Sequence, residues 1–183
     1  MMKEKYNKEV IPALTEKFKY KNKNQAPKIE KVVVNVGFGR EAISRGSDDL
    51  KKFIAGLVED LSLITGQKPS LRNAKKSIAG FKLRAGVPIG AKVTLRGKRM
   101  YDFLGRLVGV ALPRSRDFRG LDLKHFDKDG NFSLGIKEHI IFPEVSAEKM
   151  KNIFGFEVTI RIKANSKEEG IELLRLLGFP IKK

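Results

Sequence analysis

The chain has 183 residues, enough for one ordinary domain with a real core or two small ones, and its 41% hydrophobic content argues against disorder. Thirty-eight Lys and Arg against 21 Asp and Glu leave a formal charge of +17, far beyond what solubility needs, so a polyanionic partner is expected. No cysteine is present, which excludes disulfides, thiolate zinc sites and thiol nucleophiles together.

An anionic membrane is the weaker of the two polyanions to expect. The best apolar stretch, "FLGRLVGVAL", is far short of the roughly 20 residues of a spanning helix and is interrupted by Arg106. The opening "MMKEKYNKEV" carries Glu4 and Glu9 and no apolar core, so neither a secretory signal nor a transit peptide is expected. The expectation is a cytoplasmic protein with no membrane partner.

In chain order, Val10, Ile11, Leu14 and Phe18 recur at helical spacing, with Pro12 set to start or kink the helix. "KVVVNVGF" (31 to 38) reads as a strand with Val32, Val34 and Val36 on one face and Val33 and Asn35 on the other. Ser47 is the expected cap of a helix through Leu50, Phe53, Ile54, Leu57, Val58, Leu61 and Ile64, closed by Gly66. A short strand at 68 to 72, a basic loop at 73 to 86 and a strand at 87 to 96 follow. Met100, Phe103, Leu104, Leu107, Val108 and Ala111 pattern a second helix, stopped by Pro113. An irregular region at 113 to 142 contains β-like pieces at "FSLGI" and "HIIF". "FEVTIRIKA" alternates as a strand, and Ser166 with Glu169 forms a capping box for a last helix ending near Gly178.

Without repeats or linkers, residues 1 to 183 read as a single domain. The element order is that of an α+β fold, an antiparallel sheet of about five strands with helices on one face, built on the split βαβ core of RRM and ferredoxin-like proteins. The first and third strands are then central neighbours. The helices cover their apolar sets, so Asn35 on the first strand and Lys92, Thr94 and Arg96 on the third fall on the helix-free face.

The basic loop and the third strand carry the strongest chemical signal. Residues 72 to 100 hold nine Lys or Arg and no carboxylate, and no Asp or Glu occurs from Leu61 to Tyr101. Ordinary solvated faces mix both signs, so this stretch points to phosphate contact. Phe81, flanked by Lys82 and Gly80, could stack on a nucleotide plane or tuck into the domain. "LPRSRDFRG" sets Arg114, Arg116 and Arg119 around Asp117, either as a self-paired loop or as an RNA or protein contact.

Other patterns carry less. "GFGREA" approximates a dinucleotide fingerprint, but the expected helix opens only at Ser47, so a tight strand-end turn is the reading. "DKDGN" would place Ile136 where a calcium loop needs a bidentate carboxylate, so it is a turn. His125 and His139 stand apart with no thiol nearby and are expected at the surface or in loops, with no metal site. No carboxylate pair, activated nucleophile or metal cluster is visible, so no catalytic residue, no cofactor and no enzymatic activity are expected.

"VVVNVGFG", "TGQKP", "KKSIAGFKLRAGVPIGAKVTLRGKRM", "LPRSRDFRG" and "GNFSLGIKEHIIFPE" together resemble the bacterial-type ribosomal protein L-five family over nearly the whole chain. The resemblance implies a structural constituent of the large ribosomal subunit that binds 5S rRNA and helps attach it to the central protuberance. By the family pattern, Asn35, Gln67 and Thr94 match residues that contact 5S rRNA, with Lys92 and Arg96 beside them. The loop carrying Lys75, Lys76, Phe81, Lys82 and Arg84 matches the family loop that approaches the P-site tRNA. The resemblance also implies 23S rRNA and other central-protuberance proteins as partners, and an intersubunit bridge to small-subunit protein thirteen from the region 113 to 142. The competing readings are a free-standing RNA-binding regulator or chaperone, and an RNA-acting enzyme.

Overall fold

The computed structural model describes residues 2–116, 118–145 and 152–182. Five strands, β1 (Lys28–Gly37), β2 (Ser70–Asn73), β3 (Pro88–Leu95), β4 (Phe132–Ile136) and β5 (Phe156–Lys163), form an antiparallel sheet in the order β2-β3-β1-β5-β4. This is the expected α+β architecture, with β1 and β3 adjacent. In the β2–β3 hairpin Ser70 pairs with Lys92, Leu71 with Ala91 and Arg72 with Gly90, and a bulge follows between Arg72 and Asn73. The chain divides into two compact units, one of Met1–Val32, Leu95–Leu134 and Val158–Lys183, the other of Val33–Thr94 and Gly135–Glu157.

In the first unit the N-terminal helix runs as α1 (Met2–Lys5), a π turn at Tyr6–Val10 and α2 (Ile11–Phe18). Pro12 sits in the first turn of α2 with the wide turn directly before it, so its missing N–H falls where the helical bonding changes from π to α. The Tyr6 hydroxyl donates to the Pro27 carbonyl at 3.1 Å, fastening that wide turn to the residue before β1. α5 (Gly97–Arg106) does not stop at Pro113. A second π turn, Leu107–Ala111, carries the helical backbone into α6 (Leu112–Arg114), where the proline again occupies a first turn. α7 (Lys167–Leu177) is capped as expected: Ser166 Oγ accepts from Glu169 N–H at 3.3 Å, Glu169 Oε2 accepts from Asn165 N–H at 2.8 Å, and Gly178 closes the helix at φ 99°.

"DKDGN" is a turn, as its composition predicts. Asp127 accepts from Asn131 N–H at 2.8 Å and from Asn131 Nδ2 at 2.6 Å, while Gly130 takes φ 78°. Partial burial would raise the Asp127 carboxyl, but these hydrogen bonds outweigh it and hold the pKa below its ordinary value. The buried Asn131 also accepts from Ile162 N–H at 3.0 Å, so the turn is tied to β5.

In the second unit, a six-residue helix α3 (Gly39–Ser44) follows β1 where a simple turn is expected from sequence. Six residues are too few to show a period, and the helix is held by an Arg45–Glu41 ion pair at 2.8 Å. α4 (Ser47–Thr65) carries the predicted apolar stripe, with Phe53, Leu57, Leu61 and Ile64 buried. Its cap is Gly46, not Ser47: Leu50 N–H bonds the Gly46 carbonyl at 2.9 Å, which puts Ser47 inside the first turn. The predicted "HIIF" strand is a 3₁₀ turn, His139–Ile141. Pro143 lacks the N–H that a ladder would need there, and the turn is closed by Phe142 N–H to the His139 carbonyl at 3.2 Å.

His139 is not a surface residue either. It is fully buried at 0% exposure, and its ring stacks on Phe154 at 3.9 Å. Its N–H donates to the Phe154 carbonyl at 3.1 Å, its Nδ1 accepts from Phe154 N–H at 3.3 Å, and its Nε2 lies 3.4 Å from Asp60 Oδ2 on α4. An accepting Nδ1 makes this the neutral tautomer with the proton on Nε2, facing the carboxylate. Burial lowers the His139 pKa from its ordinary value despite the opposing pull of Asp60. Between that lowered pKa and the ordinary value, about 6.5, the unfolded chain binds more protons than the folded one. The stabilisation by His139 is therefore complete above about 6.5 and is lost as the pH falls below it. Asp60, raised by burial, acts in the opposite sense, so the comparison needs two proteins that both carry it. Thermal unfolding of the natural chain and His139→Asn between roughly pH 7.5 and 5 should show the natural chain losing more stability on acidification, because the amide oxygen, placed where Nδ1 stands, accepts from Phe154 N–H without titrating. Parallel curves would show that the histidine does not titrate on unfolding.

Candidate nucleic-acid interface

Strand alternation builds the interface. On β1, Val32, Val34 and Val36 are buried while Asn35 is exposed; on β3, Ala91, Val93 and Leu95 are buried while Lys92 and Thr94 are half-buried. Phe38 N–H bonds the Ile89 carbonyl at 2.9 Å and carries the β1–β3 ladder past Gly37. Counting back along an antiparallel ladder sets Gly37 opposite Gly90, Asn35 opposite Lys92 and Val33 opposite Thr94. Asn35, Lys92 and Thr94 thus share one open surface of the second unit, as the period-two pattern predicts.

Gln67 is half-buried just past the end of α4, where Gly66 takes φ 67°, and Thr65 Oγ1 lies 2.9 Å from its carbonyl oxygen. It stands at the approach to β2. Arg96 belongs to the first unit, exposed immediately after β3 and ahead of α5.

The basic loop is built as an extension of the β2–β3 hairpin. Ala74 and Gly86 form its base through Ala74 N–H to the Val87 carbonyl at 2.8 Å and Gly86 N–H to the Ala74 carbonyl at 2.9 Å. Above them, Ile78 and Leu83 exchange bonds of 2.9 and 3.2 Å around a 3₁₀ turn at Ala79–Phe81, and Ser77 Oγ accepts from Ala85 N–H at 2.9 Å. These bonds make the loop a shaped finger. Phe81 stands 66% exposed and Ile78 45% exposed at its tip, which decides against an aromatic tucked into the domain. Lys75, Lys76, Lys82 and Arg84 are all exposed, and none of them forms an ion pair among the described residues.

Carboxylates of this unit gather elsewhere. A cleft of about 730 Å³ beside α4 is lined by Asp49, Glu59, Asp60 and Glu144 together with Arg45 and Lys52. Its charge is wrong for a polyanion. No Asp or Glu lies on β2 or β3, or on residues 33–37 of β1, and Glu157, exposed on β5, is the carboxylate that the sheet strands add to this unit.

Arg114, Arg116 and Arg119 are exposed. Asp117, the expected partner of a self-paired loop, lies outside the described residues. His125 is exposed, as expected for a loop histidine. Among the described residues no cluster of His, Cys, Asp and Glu could hold a metal ion.

What sequence reasoning passed over is the glycine row. A Cβ built on Gly90 would stand 2.9 Å from the Val36 carbonyl oxygen, so β3 approaches β1 there only because no side chain intervenes. The signal was a lone glycine inside an alternating strand.

An α+β protein with an open, carboxylate-poor sheet face and a cationic hairpin finger belongs to the class of sheet-based RNA-binding proteins. The comparisons with known proteins make this specific. The chain matches the family described as "Ribosomal protein L5" over residues 22–84, and the model of the same ribosomal family's C-terminus over residues 88–181. It is 51% identical over 182 residues to the large ribosomal subunit protein uL5 of Lacticaseibacillus casei (strain BL23), covering 100% of this chain and 98% of that one. The chain belongs to the ribosomal protein L5 family, and through that membership is a structural constituent of the large ribosomal subunit.

The glycine row makes its own prediction. Gly90→Ala should destabilise the protein by about 1–3 kcal/mol, since backbone must shift to admit the methyl group. Gly37→Ala, whose added Cβ meets nothing within 4 Å, should unfold close to the natural chain. Equal denaturant midpoints for the two variants would show that the close approach at Gly90 is not a constraint.

Proposed function

We propose that this protein binds 5S rRNA through the open sheet face, with Asn35, Thr94, Lys92, Gln67 and Arg96 as the contacting groups, and helps attach that RNA to the central protuberance alongside 23S rRNA and neighbouring proteins. One observation carries the reading: the unburied side of β1 and β3 presents an amide, a hydroxyl and an ammonium group together, on a stretch where residues 33–37 of β1, β2 and β3 hold no carboxylate. Cations neutralise the phosphate backbone, while the short polar groups, fixed on rigid strands, set the register of the RNA.

The hairpin finger has a different task in this proposal. Lys75, Lys76, Lys82 and Arg84 supply charge, and the exposed Phe81 ring supplies a stacking surface, for the P-site tRNA. Arg114, Arg116 and Arg119, in the irregular region 113–142, serve as RNA or protein contacts, and that region provides the bridge to small-subunit protein thirteen.

Filter binding to a 5S rRNA transcript tests the assignment. Six to ten phosphate contacts would cost roughly three to five decades of affinity between about 50 and 200 mM salt. Asn35→Ala and Thr94→Ala should each weaken binding with little change in the salt slope, because neither removes a charge. The double substitution of Lys75 and Lys76 by Ala should weaken binding to tRNA and spare binding to 5S rRNA. Unchanged dissociation constants for Asn35→Ala and Thr94→Ala would remove the sheet face from the RNA site, and equal losses for both RNAs with the double variant would refute separate surfaces.

A further inference from the structure

Arg72 is the exposed cation of β2 that lies on the same side as Lys92 and Thr94. Its register partner is Gly90, and an ideal Cβ built on that glycine would be 3.9 Å from the Arg72 Cβ. Gly90 in turn faces Gly37, so the row running inward from Arg72 across two strands carries no side chain at all. In the next row stand Asn35, Lys92 and Ser70.

Across the strands this arginine meets no side chain of opposite charge. A cross-strand glycine offers no partner, the diagonal neighbour Lys92 has the same sign, and like charges on neighbouring strands repel. Among the described residues Arg72 makes no ion pair. The bulge immediately after it, between Arg72 and Asn73, ends the regular pairing and increases the local twist of this edge strand. The result is a guanidinium at the rim of a side-chain-free strip of backbone, with an ammonium and an amide in the adjoining row.

We propose that Arg72 is a further RNA-binding residue of this protein, holding one phosphate of the bound RNA in a bidentate grip at the edge of the open sheet face, where the row running inward carries no side chain, Gly90 being buried and Gly37 exposed. The planar fork of an arginine matches two phosphate oxygens, and Lys92 and Asn35 in the adjoining row hold the flanking nucleotide in register. This rests on the open sheet face being the RNA site. It adds the residue that sets where along that face the backbone crosses.

The test is a salt titration of binding to a 5S rRNA transcript by the full chain and by Arg72→Ala, Arg72→Lys and Asn35→Ala. Arg72 is exposed on an edge strand, so its variants should fold, and circular dichroism with a thermal melt verifies this. Arg72→Ala should lose about tenfold in affinity, the loss of one charge-assisted bidentate contact, and its salt slope should fall by about 1. Arg72→Lys should restore the slope, because the charge returns, but only part of the affinity, because the fork does not. If Asn35→Ala weakens binding while Arg72→Ala does not, the role of Arg72 is overturned and the sheet-face reading stands. If neither weakens it, the sheet-face reading itself fails. Affinity for Arg72→Lys equal to that of the natural chain overturns the bidentate grip.

Discussion

The period-two alternation of a β-strand governs this protein. Once Val34, Val36, Ala91 and Val93 are committed to the buried side, the residues between them have no choice but the other side, because a slip of one residue would invert both sets. Burial of each of those valines is favourable by about 1.5–3 kcal/mol relative to exposure, and the Ala91 methyl adds less. The position of Asn35, Lys92 and Thr94 is therefore enforced by side chains they do not touch. A binding surface made this way is rigid from the start, which limits the entropy lost when a partner is engaged.

Charge segregation gives that surface its sign. The sequence carries far more cations than anions, yet the anions are not spread evenly: in the second unit Asp49, Glu59, Asp60 and Glu144 gather around the cleft beside α4. The stretch from Leu61 to Tyr101 is left without a carboxylate, and the hairpin finger is the part of it farthest from a compensating charge in sequence. Unpaired cations repel one another in the free protein. They are retained where an anionic partner offsets that repulsion, and the backbone of an RNA is such a partner.

The second unit is also fastened at points that have no direct part in recognition. His139 links a 3₁₀ turn, the segment just before β5 and α4 through a backbone pair, a ring stack and the Asp60 contact. Gly90 allows β3 to close on β1, and the Ala74 to Gly86 bond closes the base of the finger. Each acts on position: the first on a segment and a helix, the second on two strands, the third on a loop that would otherwise sample many shapes. A polar face can specify a partner only if the spacing between its groups is fixed, and these contacts fix it.

The strands, the two long helices and the sign of the partner were legible in the amino-acid sequence because each is a local property. Alternation over "KVVVNVGF", the 3.6-residue stripe of Leu50 to Ile64 and a carboxylate-free run of some forty residues need no knowledge of what lies next to them. The misreadings were places where a neighbour in space decides. His139 looked like a loop histidine until Phe154, fifteen positions away, supplied both its hydrogen bonds and its stacking partner. "HIIF" has strand composition, but with Pro143 behind it there was no ladder to join, and it coiled into a 3₁₀ turn. Pro113 has the local signature of a stop, yet a π turn upstream carries the helical backbone through it to Arg114. Phe81 could have gone either way, and only the hairpin geometry around Ile78 and Leu83 put it outside. Periodicity and charge travel with the chain itself, whereas pairing register, burial of a single side chain and the row of bare backbone beside Arg72 exist only when distant segments meet.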